Sequence, residues 1–583
     1  MIASDDLRTT EASLAAVARR EYRLFKWGIV LALALGCASP LAFNLVDPDL
    51  WGHVRYAEDW LADGQLPRTA THTFTAVDHP WINHENLAEL ALALGHRWLG
   101  VYGLLVAKCF WGMSIILSMV WISSRHGVHP LASWSLMLLV ASNLQAFFPL
   151  RPQLLSFGLC SLALMLLDRA FCHWHEHRRV RWRLLAVLPA VFVVWINSHG
   201  GVVAGLCIVG AYLVGRIIEL LIKRRQINWT TACGLAAAGL ACVAATLANP
   251  YGLELHRWLA TSLGQPRPEI TEWAGPKVAD PIFWPWIGLL TVAGLSLLGT
   301  RRRRDWVQIA ILALVAWQSA LHLRHIAFLA LLCGFWLPAH LQSALGRLRP
   351  QSGSKLPVMR LSPWMRRTAL TVLVLSIGLQ SFALVRRLTD FPVERNFYPV
   401  DAIQFMADRH LEGKLVVSFN WAQYSIAALA PDVQVAFDGR FRTCYPQEIV
   451  DMHFDFLLGE FGGKRCRSPR SGPVDGSRVL KFGSPDLVLV DRRYEESVAV
   501  MQREADQENP EWVLMYLDQI AELWGRADRY DDPSSAHYFP VDDRIRDAEP
   551  RNGAVQWPAL PRRNDGSRLA GQEQPSSELS VEL

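Results

Sequence analysis

A mainly α-helical, polytopic membrane bundle with a C-terminal α/β domain is the fold class that three features of the sequence predict. Hydrophobic residues make up 51% of the 583 positions, and the mean hydropathy is +0.16. Apolar stretches near the ~20 residues that cross a bilayer recur along the first two thirds of the chain. Beyond residue 388 the pattern changes to short β-branched runs alternating with helical stretches.

The candidate spans fall near 27–44, 103–123, 129–148, 153–171, 183–197, 202–222, 230–248, 282–299, 306–321, 325–343 and 367–387, about eleven in all. The first follows Arg19, Arg20, Arg23 and Lys26, as a signal peptide would. It lacks a convincing small-residue cleavage site, so it reads as a retained membrane helix. Placing residues 1–26 in the cytoplasm puts every strong basic cluster on the same side: Arg125, His177 to Arg181, Lys223 to Arg225, Arg301 to Arg304, and Arg347 to Arg367. An odd number of spans then leaves the C-terminal domain outside. The reading is a multi-pass membrane protein with its N-terminus inside.

The membrane domain covers 27–388 and includes a large first outer loop, 45–102. Within it, Leu50, Trp51, Val54, Ala57, Trp60 and Leu61 recur at helical spacing, as do Leu87, Leu90, Leu94 and Trp98. Both segments read as amphipathic helices on the membrane surface. The outer domain covers 389–550, with strands expected at 414–418, 433–437, 486–491 and 512–517. Helices are expected near 400–411, 447–458 and 495–505. The Pro-, Gly-, Ser- and charge-rich tail, 551–583, reads as disordered.

The net charge of +5 follows loop topology, and no nucleic-acid-binding motif accompanies it, which excludes a nucleic-acid partner. No GxSxG elbow, HExxH or Walker loop is present. Of the ten cysteines, only Cys444 and Cys466 lie in the hydrophilic C-terminal third. They are either a disulfide or two free thiols. The 24 tryptophans mostly fit an interfacial belt, with Trp51, Trp81 and Trp273 best placed to stack on a ligand.

Polar clusters collect on the side away from the basic loops. The foremost is Asp47-Pro48-Asp49, just after the first span. Carboxylates at a membrane exit are costly unless they are solvated, paired or bound to a cation. Asp at a helix N-cap is the plain alternative. The other clusters are Asn83-His84-Glu85, Arg151-Pro152-Gln153, Asn197-Ser198-His199, Asn249-Pro250, Glu272, Arg324-His325 and Asp438-Gly439-Arg440. A lone Arg at a helix end ordinarily snorkels to headgroups. Arg151 and Arg324 together, on the less basic side, suit a phosphate. Asn197 and His199 line a tight glycine turn, and Asp438 and Arg440 follow a strand, where ligand contacts and ordinary turns both occur.

Asp47-Pro-Asp-Leu-Trp-Gly-His53, Leu66-Pro-Arg-Thr69 and Pro80-Trp-Ile-Asn-His-Glu85 resemble motifs of a group of bacterial membrane proteins. That group is similar to the GT-C glycosyltransferase superfamily, which includes protein mannosyltransferases and the aminoarabinose lipid A transferases. The resemblance implies transfer of a sugar from a polyprenyl-phosphate donor to an envelope acceptor on the outer face. It implies Asp47 as base, with Asp49 as a metal ligand or supporting carboxylate, or the reverse. It also implies a divalent cation, Mg or Mn, with Asp49 and His84 as ligands. His84, Glu85, Arg151, Asn197, His199, Glu272, Arg324, His325, Asp438 and Arg440 are the expected substrate- and phosphate-binding set. Two rivals are a transporter or flippase for a lipid-linked or anionic solute, and a non-catalytic membrane assembly factor. Internal repeats would favour the former, and none is visible.

Overall fold

The computed structural model describes residues 23–177, 179–222, 228–263, 270–347, 362–462 and 465–562. The N-terminal segment to residue 22, the basic runs at 223–225 and 348–361, and the tail from 563 lie outside them. The chain divides into two compact units, one of residues 1–47 and 84–391, the other of residues 48–83 and 392–583.

The first unit is helical, and all eleven expected spans are helices in it. Six are long and apolar enough to cross a membrane: Arg23–Leu41, Asn86–Arg125, Gln153–Ala170, Val202–Ile222, Pro281–Gly299 and Pro363–Leu388. His325–Trp336 and Pro338–Arg347 are long and apolar enough only as a pair, a broken span or a re-entrant loop, bent by 63° where Pro338 cannot continue the hydrogen-bond ladder. Trp182–Ile196, Trp229–Ala245 and Trp306–Leu321 are shorter apolar helices, and Pro130–Leu144 has 15 residues. The chain is a multi-pass membrane protein.

The amphipathic helix expected at 85–99 is not separate from the span after it. Asn86–Arg125 runs through both, with a break at Gly100 (φ 66°, ψ −175°), a conformation essentially confined to glycine. The chain leaving the first span is pinned on three sides. Lys108 Nζ donates to the Phe43 carbonyl, Asn44 Nδ2 donates to the Asp390 carbonyl at 2.6 Å, and Arg387 donates to the Ser39 carbonyl at 2.7 Å. These contacts set the path into Asp47.

The second unit joins residues 48–83 of the first loop to the chain from residue 392. Its five-stranded sheet has the order β3-β2-β4-β6-β5, where β2 is Gly413–Val417, β3 Val433–Val435, β4 Leu487–Asp491, β5 Trp512–Leu517 and β6 Ala521–Arg526. β3, β2 and β4 are parallel, and β6 and β5 are antiparallel to their neighbours. The first loop adds to the β3 edge: Val435 N donates to the His72 carbonyl at 2.9 Å, and Phe74 N to the Val435 carbonyl at 3.3 Å.

The helix Leu50–Asp63 buries its apolar face in protein, correcting the membrane-surface expectation. Trp51 is 2% exposed. It packs on Tyr398 and Tyr424 at centroid distances of 5.0 and 4.9 Å and donates to the Pro558 carbonyl at 2.8 Å. Part of the expected disordered tail is therefore ordered. β7, Ala554–Gln556, pairs antiparallel with β1, Pro392–Glu394. Cys444 and Cys466 are free thiols.

Candidate functional site

In the first unit, four helix ends and one loop bring the expected polar residues together. Asp47 is buried, at 5% exposure, and such a carboxylate needs a partner. Arg151, in the turn before Gln153–Ala170, provides it: Nε makes an ion pair with Asp47 Oδ2. The same guanidinium donates from Nη1 to Glu272 Oε1 at 2.8 Å. One arginine thus bridges two carboxylates that are far apart in sequence.

Glu272 sits in a short turn, Thr271–Trp273, fastened to the end of Trp306–Leu321. His322 Nδ1 donates to the Trp273 carbonyl at 2.7 Å, and Leu323 N donates to the Ala274 carbonyl at 2.9 Å. Arg324 lies over the Trp273 ring at 4.8 Å. It makes no ion pair among the described residues, although Glu272 and Glu85 both attract it. His325 follows, its ring 5.7 Å from that of His322.

Glu85 stands between two imidazoles, 3.8 Å from His84 Nε2 and 3.7 Å from His199 Nε2. His199 is oriented from behind. Its Nδ1 accepts from Gly201 N–H at 3.0 Å and lies 2.9 Å from Ser156 Oγ. Trp195 Nε1 donates to the same Oγ at 2.7 Å. With Nδ1 accepting, the ring proton belongs on Nε2, facing Glu85. Glycine at 201 is required because a Cβ there would lie 2.6 Å from Ser156 Oγ. Asn197 is a pin: its amide donates to the Val193 and Ala248 carbonyls, both at 2.8 Å. Its own carbonyl accepts from Leu87 N at 2.9 Å, which fixes the start of the helix after Glu85. Trp258 lies 5.3 Å from the His84 ring.

The sequence reading did not single out Ser156, Trp195, Trp258 or His322. Ser156 is one hydroxyl inside an apolar span, and no local signal distinguishes it.

Asp49, Asp438 and Arg440 belong to the second unit. Asp49 is the N-cap of Leu50–Asp63, yet its side chain makes no capping hydrogen bond. Its Oδ1 instead lies 2.2 Å from where a Cβ on Gly439 would fall, so a larger residue there would have to displace the Asp49 carboxylate. Asp438 is fully buried and saturated. It accepts from Arg440 Nε at 3.0 Å, Arg440 Nη2 at 2.7 Å, Arg440 N at 2.9 Å and Tyr445 Oη at 2.7 Å. Arg440 also donates to the Thr71 carbonyl at 2.6 Å and lies over the Tyr56 and Trp81 rings at 4.5 and 4.6 Å. Burial opposes ionisation of Asp438, but the guanidinium and these hydrogen bonds hold its carboxyl below the ordinary carboxylate range. This arrangement clamps the first loop to β3.

No protein-family model matches the sequence, and no curated protein does. Among solved structures, ArnT from Cupriavidus metallidurans bound to undecaprenyl phosphate matches with a TM-score of 0.51 at 13% identity, over 88% of this chain and 98% of that one. ArnT in the apo state matches with a TM-score of 0.50 at 14% identity, over 87% and 98%. The apo Archaeoglobus fulgidus oligosaccharyltransferase matches more loosely, with a TM-score of 0.47 at 12% identity, over 81% and 71%. The likeness to ArnT is one of fold.

Proposed function

We propose that this protein is a membrane glycosyltransferase that moves a sugar from a polyprenyl-phosphate donor to an acceptor at the extracytoplasmic face of the bacterial inner membrane. The observation that carries the reading is the Asp47–Arg151–Glu272 bridge beside Arg324, set in a fold like that of ArnT. The N-terminus is cytoplasmic, and the C-terminal α/β domain is extracytoplasmic. The solved ArnT complex holds undecaprenyl phosphate, the donor class proposed here.

Asp47 accepts the proton of the acceptor hydroxyl as its oxygen attacks the anomeric carbon, and the C–O bond to the lipid phosphate breaks. Arg151 orients the carboxylate. Arg324, engaged by an indole face and by no carboxylate in ion-pair contact among the described residues, takes the charge that develops on the leaving phosphate. His84, Glu85 and His199 line the acceptor side, positioned by Asn197, and His325 supports Arg324.

A divalent cation, if bound, would be held by Glu85 with an adjacent imidazole, His84 or His199. A mixed nitrogen and oxygen set suits Mn better than Mg, which prefers oxygen donors. Asp49 lies beside Gly439 in the second unit.

The test is to incubate the purified full chain with a panel of polyprenyl-phosphate sugars and native envelope extract, following release of free polyprenyl phosphate. Release from one donor identifies the sugar. No release from any donor with extract present rejects the transferase reading in favour of transport or assembly.

A further inference from the structure

We propose that the first unit carries a second lipid site, an anionic-phospholipid site at the opposite end of the bundle from Asp47. A cleft of about 740 Å³ opens there, walled by Trp121, Leu166 and Trp182 and rimmed by Arg169, Arg181 and Arg183. No carboxylate lines it among the described residues. The nearest acid in sequence, Asp168, is engaged by His126 Nε2 at 2.9 Å.

The placement follows from the helices themselves. Asn86–Arg125 has Glu85 before its start and Trp121 in its last turn. Gln153–Ala170 has Arg151 before its start and Arg169 in its last turn. Trp182–Ile196 runs the other way, from Arg181 and Arg183 to Asn197 and His199. Each of the three therefore carries a residue of the outer cluster at one end and a wall of the cleft at the other. An 18-residue helix spans about 27 Å, so the two sites lie at opposite membrane faces. By the positive-inside rule, the cleft faces the cytoplasmic leaflet.

The chemistry favours a phospholipid. A lone Arg at a helix end snorkels, but three guanidiniums from two elements converge here on one concave apolar surface. Arg169 lies over the Trp121 ring at 5.5 Å. Arg181 is held in place by its backbone N–H donating to the Ala170 carbonyl at 3.0 Å and by a contact with His173 Nε2 at 3.5 Å. A headgroup phosphate among the arginines and an acyl chain along the two indoles satisfies both halves of the cleft. Basic pockets between membrane helices on the cytoplasmic side bind anionic headgroups in this way.

The experiment is native mass spectrometry of the full chain, delipidated and then titrated with phosphatidylglycerol or phosphatidylcholine. Wild type is expected to retain at least one phosphatidylglycerol with about tenfold or greater preference over phosphatidylcholine. The variant Arg169→Gln/Arg181→Gln/Arg183→Gln should lose that preference while keeping its melting temperature in neutral lipid. Arg181→Gln/Arg183→Gln, altering only exposed side chains, should lose most of it and covers the case of a misfolded triple variant. Equal retention of the two lipids by wild type, or unchanged phosphatidylglycerol retention in both variants, overturns the proposal. Neither readout depends on sugar transfer.

Discussion

Arg151 is the residue on which the polar cluster turns, because it pairs with a buried carboxylate and a half-buried one at once. Removing it strands Asp47. Arg151→Ala is expected to destabilise the protein by about 3 kcal/mol, and adding Asp47→Asn in the same chain should recover most of that loss. Chemical-denaturation midpoints of the single and double variants check this, and strictly additive losses would show that the two residues do not act as a pair. His453 makes a different point. It is 1% exposed, neither ring nitrogen has a hydrogen-bond partner among the described residues, and the Phe437 ring is 4.5 Å away. Burial pushes its pKa down to about 3, against a weaker pull upward from Asp438. The unfolded imidazole takes a proton near pH 6.5 while the folded one does not. The unfolded state thus binds more protons between pH 6.5 and about 3. Its contribution to stability is complete above pH 6.5 and falls as the pH is lowered through that window. His453→Leu should flatten the dependence of melting temperature on pH between 6.5 and 4. An unchanged slope would place the effect elsewhere.

At the scale of elements, the glycines and helix ends govern the geometry. Gly201→Ala places a methyl 2.6 Å from Ser156 Oγ and 2.9 Å from His199 Nδ1. A cost of about 1–3 kcal/mol is expected, with transfer activity falling more steeply than stability because His199 is displaced. Thermal melting alongside turnover separates the two effects. These elements also show what the sequence could express. The helices Gln447–Leu458 and Glu495–Ala505 match their expected bounds because their apolar periodicity is strong and local. β6 escaped notice because Ala521–Arg526 holds Glu522 and Gly525 and lacks β-branched residues; its pairing with β4 and β5 makes it a strand. The apolar stripe of Leu50–Asp63 was legible, but its destination was not. Periodicity reports that a face is buried without distinguishing lipid from the Tyr398 and Tyr424 rings.

For the whole molecule, the division into two units reassigns the acidic pair. Asp47 and Asp49, two residues apart, have separate structural settings: one meets Arg151, the other lies against Gly439. Sequence adjacency suggested a shared task, and chain reversal between units is invisible to motif reading. Arg151 and Arg324 were legible as polar residues at helix ends, Asp47 as a carboxylate after the first span and Glu272 as a loop residue, whereas the bridge joining Asp47, Arg151 and Glu272 needed the fold. The clamp of Asp438 and Arg440 holds the first loop in the second unit, so Arg440→Ala should cost about 3–5 kcal/mol and expose the 48–83 segment to limited proteolysis. A protease pattern identical to wild type would show that the clamp is dispensable.

The most direct test of the central claim is release of free polyprenyl phosphate by wild type and Asp47→Asn, measured on the identified donor with matched melting curves. Loss of turnover by at least about a hundredfold in a variant that melts like wild type is the expected result. Turnover that survives Asp47→Asn would contradict the assignment of Asp47 as the group that activates the acceptor.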